Sequence, residues 1–277
     1  MTTIEQKYKI GSRRFGRVNW IGMYTLYIKE VLRFFNVWIQ TVLSPVITFF
    51  LFLAVFSLAV GKGREDVLGY PFTIFLIPGL IIMQMMQNAF ANTSSSLMIS
   101  KMQGNIVDLL YPPLSALEVT VAMLAGGITR GLVVGIVSIS VCIIFIHVPI
   151  HNIFIILIYG FLGSSLLASL GFLAGLWSEK FDNMAAVTNF IIVPLSFLSG
   201  TFYSIKNLNI YVETISTFNP FFYIIDGFRY GFLGASDSSL QVGLIVLIIT
   251  NIITWYICYF LFNKGYKIKY ALRPMSV

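Results

Sequence analysis

The chain has 277 residues, of which 57% are hydrophobic and only 10% are charged. Soluble domains contain about 25% charged residues, so this composition excludes an ordinary soluble protein and indicates an integral membrane protein. The net charge of +7 does not indicate nucleic-acid binding, because basic residues of membrane proteins concentrate on the cytoplasmic side. Cys142 and Cys258 lie in apolar runs. We expect them to pack as small hydrophobic residues, and we expect neither a disulfide nor a metal site.

The two ends of the chain are basic. Residues 1–18 contain five Lys or Arg and no apolar run, which indicates a basic cytoplasmic arm. In residues 19–36 polar side chains recur every three or four positions, which predicts an amphipathic helix in the inner membrane interface. The alternative is a cytoplasmic extension of the first membrane span. Residues 263–277, with four Lys or Arg, form a basic cytoplasmic tail.

Between these ends, residues 37–262 predict a transmembrane domain with six spans. The expected spans cover about 37–60, 72–97, 117–146, 153–177, 185–203 and 240–262. Six spans place both termini on one side of the membrane. Thirteen Lys or Arg lie on that side and four on the other, so the positive-inside rule places both termini in the cytoplasm. The predicted fold class is an all-α integral membrane protein.

The second span is unusually polar in its inner half. It contains four side-chain amides, Gln84, Gln87, Asn88 and Asn92. Amides are costly against lipid, so this helix should face other helices or a water-lined path. Hydrogen bonds between helices are the more common use of such residues, and lining a path is the more specific one. Both interpretations stay open at this point.

The third span contains Arg130, the one charge placed well inside a span. Such a charge is costly unless it is paired, hydrated or able to reach the headgroups. We interpret Arg130 as a member of a structural ion pair or as a side chain that reaches the inner headgroups, with direct substrate contact as the alternative. His147 and His151 flank Pro149, which argues against one continuous metal-binding helix. We interpret them as turn residues.

The loop after the second span predicts a short helix. Its residues are Asn105, Ile106, Val107, Asp108, Leu109 and Leu110. Pro112 and Pro113 end the helix, and Ser115 to Glu118 predicts a capping box for the next one. Exposed apolar residues in a cytoplasmic loop would suit the docking of a soluble partner, with Ile106, Leu109 and Leu110 as contacts and Asp108 as the orienting charge. The alternative is a loop helix packed on the protein itself.

The stretch from Ser216 to Gly234 is apolar and aromatic but too short to cross a bilayer. It predicts a re-entrant or partly buried helix, and the alternative is an amphipathic helix on the outer surface. Asp226 and Arg229 are three residues apart, so one helical face could hold both. We expect them to form an ion pair at an outer gate.

Motifs for an energy source are missing from the sequence. It contains no G-x-x-x-x-G-K-[ST] phosphate loop. No Asp or Glu lies near the middle of a predicted span, where a proton- or sodium-coupled carrier usually has one. These features argue against a secondary transporter and a membrane enzyme, and no cofactor is expected. A passive pore and a subunit driven by a separate soluble motor both remain.

Four motifs resemble the ABC-2 type permeases, the membrane subunits of bacterial export ABC transporters. They are PLSFLSGTFYS from Pro194, NPFFYIIDGFRYGFLG from Asn219, NIVDLLYPPLS from Asn105 and GGITRGL from Gly126. The resemblance covers roughly residues 20–262. It implies six transmembrane helices with an N-terminal interfacial helix, in the bacterial inner membrane.

The resemblance also implies partners and roles. Residues 105–110 would be the coupling helix, held in a groove of a separate ATPase. Residues 204–234, with Asn219, Pro220, Asp226 and Arg229, would form outer re-entrant helices over the exit. Two copies of the chain would pair with two copies of the ATPase, with the export path between the permeases. The alternative from another class is a membrane scaffold or passive pore that recruits a cytoplasmic partner without ATP-driven transport.

Overall fold

The computed structural model describes residues 18–59, 66–146, 148–205, 214 and 216–267. Within these ranges the chain is helical, and its one β feature is an isolated bridge between Val67 and Tyr70. Almost all of the predicted basic arm, the tail beyond residue 267, His147 and most of the connector at 204–217 lie outside the described residues.

In the described part of the chain, six helices are long and apolar enough to cross a membrane, which confirms the predicted all-α membrane fold. They are α2 (Ile39–Ala59), α3 (Phe72–Met102), α5 (Ala116–Phe145), α6 (Ile153–Trp177), α7 (Phe181–Leu198) and α9 (Leu240–Asn263). The described residues also form the helices α1 (Trp20–Phe35), α4 (Val107–Leu110) and α8 (Pro220–Leu233). We call the two ends of the bundle the α4 end and the α8 end.

The fifth membrane helix differs from its predicted range of 185–203. It begins at Phe181 and ends at Leu198, because Ser199 leaves the helical conformation and Gly200 has a φ of +81°. That left-handed conformation stops a helix and favours glycine.

Proline explains the irregular turns in α2 and α7. Each helix contains one π-helical turn, at Ile39–Leu43 and at Thr188–Ile192, and each turn ends two residues before a proline, Pro45 or Pro194. Proline lacks the amide hydrogen, and its ring crowds the carbonyl four residues earlier. A wider turn before the proline relieves that crowding.

The centre of the bundle is α3, in which 83% of the residues of the most apolar segment are buried. It packs most extensively on α6 and α5, and small residues let the backbones approach closely. A Cβ atom on Gly171 of α6 would lie 2.3 Å from the Phe90 carbonyl oxygen of α3. The Thr93 hydroxyl, also on α3, donates to the Ala168 carbonyl at 2.7 Å.

The outer helices are much less covered. The corresponding segments of α2, α7 and α9 are 28%, 11% and 17% buried. Exposed apolar side chains on these helices include Leu51, Phe190 and Ile252. Such surfaces require lipid or a second protein chain, because they are too large to be left in water.

Candidate functional site

A cavity of about 290 Å³ lies between α2, α3 and α7, with amides and hydroxyls among a largely apolar lining, and we call it the polar cavity. Its polar lining side chains are Gln40, Ser44, Thr48, Gln84 and Gln87. In the described part of the chain, the amide groups of Gln84 and Gln87 form no hydrogen bond with another residue. They are therefore available to water or to a ligand.

The other two amides of α3 join helices together. Arg130 of α5 donates to the Asn88 side-chain oxygen at 2.9 Å, and Arg33 of α1 donates to the Asn92 side-chain oxygen at 3.0 Å. Hydrogen bonds between helices, one of the two interpretations of this polar helix, are therefore observed for Asn88 and Asn92, and lining a path stays a prediction for Gln84 and Gln87.

Arg130 has a partner other than the one we expected. Among the described residues the ion pairs are Arg33 with Glu30 and Lys267 with Glu179, so the ion-pair interpretation of Arg130 is wrong, and its reach to the inner headgroups stays a prediction. Its guanidinium is only partly exposed and is bonded to the Asn88 amide oxygen. A neutral amide offers an acceptor without adding a second buried charge.

Glu30 is the buried centre of the contact between α1 and α3, and sequence reasoning missed it. The side chain of Glu30 is 2% exposed. Its two oxygens accept a hydrogen bond from the Ser96 hydroxyl at 2.8 Å and form the ion pair with Arg33 at 3.1 Å. The available signal was that Glu30 is the one acid between residues 19 and 36, three residues before Arg33. Gly126 of α5 makes room for it, because a Cβ atom there would lie 2.6 Å from the Glu30 Cβ.

The short loop helix is present as α4, but it is more buried than expected. Ile106 and Leu109 are 0% and 7% exposed, so the prediction that both contact a partner is wrong. Apolar residues on the inner face of so short a helix pack on the bundle itself. Leu110 and Tyr111 are 42% and 84% exposed. The exposed part of this segment also includes Asn105 and Asp108, and Val107 is half-buried.

The predicted capping box connects this loop to α1. The Ser115 backbone donates to a Glu118 carboxylate oxygen at 2.7 Å, and the Glu118 backbone donates to the Ser115 hydroxyl at 3.3 Å. The second Glu118 oxygen accepts from the Asn19 backbone at 2.6 Å. One carboxylate therefore joins the start of α1, the loop and the start of α5.

At the other end of the bundle, α8 is a buried helix that is too short to cross the membrane. Its fourteen residues rise about 21 Å, whereas the hydrocarbon core is about 30 Å thick. Twelve of the fourteen are buried, which excludes the alternative of a surface helix. Asn219 caps its start by accepting from the Phe221 backbone at 3.1 Å, and Pro220 occupies the first turn.

Asp226 and Arg229 of α8 do not pair with each other in the described structure, so the predicted ion pair is wrong. Asp226 accepts from the Asp237 backbone at 2.8 Å and from the backbone and hydroxyl of Ser238 at 2.9 and 2.7 Å. Arg229 donates to the Gly200 carbonyl at 2.7 Å. The hydrogen bonds of the two charges therefore diverge to different loops.

Arg229 makes two further contacts, one with the Thr201 carbonyl and one with the Phe75 ring of α3. Arg229 donates to the Thr201 carbonyl at 3.4 Å, and its guanidinium lies 3.9 Å from the centre of the Phe75 ring. A cation over an aromatic face is stabilised by the ring electrons. Gly79 permits this approach, because a Cβ atom there would lie 2.8 Å from the Thr201 carbonyl oxygen.

Asp237 joins the same two loops directly. Its carboxylate accepts from the Ser204 hydroxyl at 2.6 Å and from the Ile205 backbone at 3.1 Å. Together with α8, residues 199–205 and 234–239 therefore form one bonded unit, which we call the cap. The Tyr70 hydroxyl adds a further bond to it, to the Leu233 carbonyl at 2.8 Å.

At the α4 end, lysines cover the end of α6. Lys101 donates to the carbonyls of Gly175 and Leu176 at 3.0 and 2.8 Å and also to that of Ser178. Cations at a helix C-terminus are favourable because the unpaired carbonyls carry partial negative charge. Lys267 forms the ion pair with Glu179 at 2.9 Å, which lowers the pKa of Glu179 and raises that of Lys267.

Comparison with known proteins shows that the sequence of this chain is similar to those of transport proteins. A family model described as ABC-2 type transporter matches residues 22–233, which include every helix from α1 to α8 in whole or nearly so. The chain is 34% identical over 246 residues to the inner membrane transport permease YadH of Escherichia coli K12. That alignment covers 89% of this chain and 96% of the relative. The YadH protein of Shigella flexneri gives the same values.

Proposed function

The chain belongs to the ABC-2 type transporter family, and on that premise we propose that it is the membrane-spanning permease subunit of an ATP-driven exporter. In this proposal it is a multi-pass protein of the bacterial inner membrane with both termini in the cytoplasm. A separate ATPase subunit supplies the energy. Two copies of the chain and two of the ATPase form the transporter.

The observation that most supports a transport path is the polar cavity beside α3. Gln84 and Gln87 offer amide groups there that no described side chain uses. Two of the cavity walls, α2 and α7, are among the least covered helices. A second copy packed against these helices would close the open side, so that each copy contributes half of a shared path.

The cavity lining also favours a class of solute. Its lining residues include amides, hydroxyls, Phe52 and Phe197, and none of them is charged. Such a surface forms hydrogen bonds and apolar contacts together. We therefore propose that the exported compound is amphipathic and has no strongly charged part within the path.

The coupling part of the proposal uses the exposed side of α4. Leu110 and Tyr111 are available to an ATPase groove, and Asp108 beside them supplies the orienting charge. Movement of this loop would reach α1 and α5, because Glu118 bonds to the starts of both. This provides a mechanical route from the ATPase to the bundle.

The experiment is co-expression with the neighbouring ATPase gene, followed by purification and an ATPase assay in lipid vesicles. The double variant Leu110→Asp/Tyr111→Asp should lose co-purification while it elutes as a folded membrane protein. Ile150→Asp is the matched control, because Ile150 is 45% exposed and directly precedes His151, whose backbone donates to the Gly231 carbonyl of α8. It should retain the ATPase.

Two outcomes would contradict the proposal. If both variants retained the ATPase equally, α4 would not be the docking element. If the folded wild-type permease captured no ATPase at all, the alternatives of a passive pore or a scaffold would replace it, and ion conductance in the same vesicles would separate those two.

A further inference from the structure

The face of α7 that points away from the polar cavity lines an apolar groove. Val193 and Phe197 of α7 lie at the polar cavity, whereas other residues of the same helix line a groove of about 430 Å³ against α3, α6 and α8. Its lining includes Leu170, Leu173, Ala174, Trp177, Ile191 and Leu195. Every lining residue of this groove is apolar. It is therefore a separate site from the proposed path.

The groove extends toward the α8 end. A second hollow of about 400 Å³ shares Leu195 with the first and reaches Leu198 and Phe218. From Val187, in the first hollow, to Leu198 the helix advances eleven residues, or about 16 Å at 1.5 Å per residue. Half of a hydrocarbon core of about 30 Å is about 15 Å. The combined groove is therefore at least as long as one lipid leaflet, because Trp177 extends its lining beyond Val187 toward the α4 end.

The α4 end of the groove is aromatic and basic. Trp177 lies there, and Lys267 donates to its carbonyl at 3.1 Å with its ammonium 5.4 Å from the centre of the indole ring. Lys180 is exposed in the turn that follows Trp177. Tryptophan and lysine are the residues that typically lie at the headgroup level of a membrane.

Positive charge exceeds negative charge around this turn. Lys101, Lys180 and Lys267 lie near it, against Glu179 and Asp182 among the described residues. Basic pockets between membrane helices on the cytoplasmic side attract anionic lipid headgroups. The charge at the groove entrance and the apolar lining inside it therefore match the two parts of one kind of molecule.

We propose that this groove binds one acyl chain of an anionic phospholipid, with the phosphate headgroup at Lys180 and Lys267. The chain would lie along α7, whose membrane segment is only 11% buried by protein. The first hollow has no polar side chain in its lining, so it can solvate hydrocarbon without leaving an unpaired group behind, whereas the second hollow also includes Tyr203, Ser216 and Asn219. The site requires neither the ATPase nor the exported compound, so it can be tested apart from the proposed transport function.

Trp177 provides a fluorescent reporter at the α4 end of the groove. A single-tryptophan protein is made with Trp20→Phe, Trp38→Phe and Trp255→Phe, and it is reconstituted into phosphatidylcholine vesicles. Brominated phosphatidylglycerol or brominated phosphatidylcholine is then added in increasing mole fraction, because bromine quenches tryptophan fluorescence at contact. The reference protein retains Trp255, half-buried on α9, in place of Trp177.

We expect brominated phosphatidylglycerol to quench Trp177 at about a fivefold lower mole fraction than brominated phosphatidylcholine. That factor corresponds to the contribution of about 1 kcal/mol from one lysine near the membrane surface. Trp255 should respond about equally to both lipids. Lys180→Gln should reduce the preference at Trp177, whereas the matched variant Lys29→Gln, exposed on α1, should leave it unchanged.

A groove-filling variant tests whether the lipid chain lies in this groove. Ala174 is 8% exposed in the groove lining, so Ala174→Phe should weaken quenching of Trp177 by both lipids. Equal quenching of Trp177 by the two lipids would overturn the anionic site. A second result would also overturn the lipid site. If the variant Ile191→Cys formed a disulfide efficiently between two copies while Trp177 stayed unquenched, a second copy of the chain would occupy the groove.

Discussion

Asp226 and Arg229 lie one turn apart on α8, yet each is bonded to a different loop. Asp226 bonds to the Asp237–Ser238 backbone, and Arg229 bonds to the carbonyls of Gly200 and Thr201. Opposite charges on one helical face therefore hold two neighbouring loops in place. The position of α8 therefore determines where both loops of the cap lie.

The first prediction concerns these two charges. Asp226→Asn and Arg229→Gln should each lower the free energy of unfolding by about 1–3 kcal/mol, because each leaves buried groups without their full set of bonds. The exchange variant Asp226→Arg/Arg229→Asp should be at least as unstable as the worse single variant. In that variant a guanidinium would face backbone N–H groups and a carboxylate would face carbonyls.

Thermal unfolding in detergent measures this effect. Asp182→Asn is the matched control, since Asp182 is exposed at the start of α7, and it should be near neutral. Recovery of wild-type stability in the exchange variant would show that the two charges pair after all.

The second prediction concerns the attachment of α1 to the bundle. Glu30→Ala removes the acceptor for both Ser96 and Arg33. We expect a loss of about 1–3 kcal/mol in the free energy of unfolding and faster hydrogen–deuterium exchange in Trp20–Phe35. The neighbouring variant Lys29→Ala, on the exposed face, should change neither. Unchanged exchange in Glu30→Ala would mean that apolar packing alone holds α1.

The third prediction concerns the close contact between α3 and α6. A Cβ atom at Gly171 would lie 2.3 Å from the Phe90 carbonyl oxygen, which belongs to the backbone and cannot move aside cheaply. Gly171→Ala should therefore destabilise the protein by about 1–3 kcal/mol. At Gly243 of α9 the nearest atom would be a carbon of the Tyr223 ring at 3.2 Å, so Gly243→Ala should be close to neutral. Equal melting temperatures for the two variants would contradict this.

The fourth prediction distinguishes the two kinds of amide on α3. In a background without Cys142 and Cys258, Gln84→Cys and Gln87→Cys should react with a small water-soluble thiol reagent. Asn88→Cys should react at least about tenfold more slowly, because Asn88 does not line the cavity that Gln84 and Gln87 line and instead faces the Arg130 contact. The measurement is the labelling rate in intact vesicles, and it requires no known substrate. Similar labelling rates at all three positions would contradict the distinction between amides that line the cavity and amides that bond to another helix.

The local signals in the sequence were sufficient for the helices. Apolar runs of bilayer length fix the six membrane helices, because hydrocarbon forces each backbone to satisfy its own hydrogen bonds. The Ser115–Glu118 capping box and the start of α8 at Asn219–Pro220 were also predictable, since caps depend on residues within a few positions.

The partners of the polar side chains were decided only by the tertiary structure. Sequence spacing placed Asp226 and Arg229 on one face and predicted that they pair, but the loops folded over α8 offered closer partners to each. Spacing likewise grouped Asn88 with Gln84, although only the packing of α5 determines that Asn88 meets Arg130. Periodicity determines which residues share a helix face. The physical reason that it goes no further is that the groups opposite that face come from segments tens of residues away, and the packing of those segments determines which bonds form.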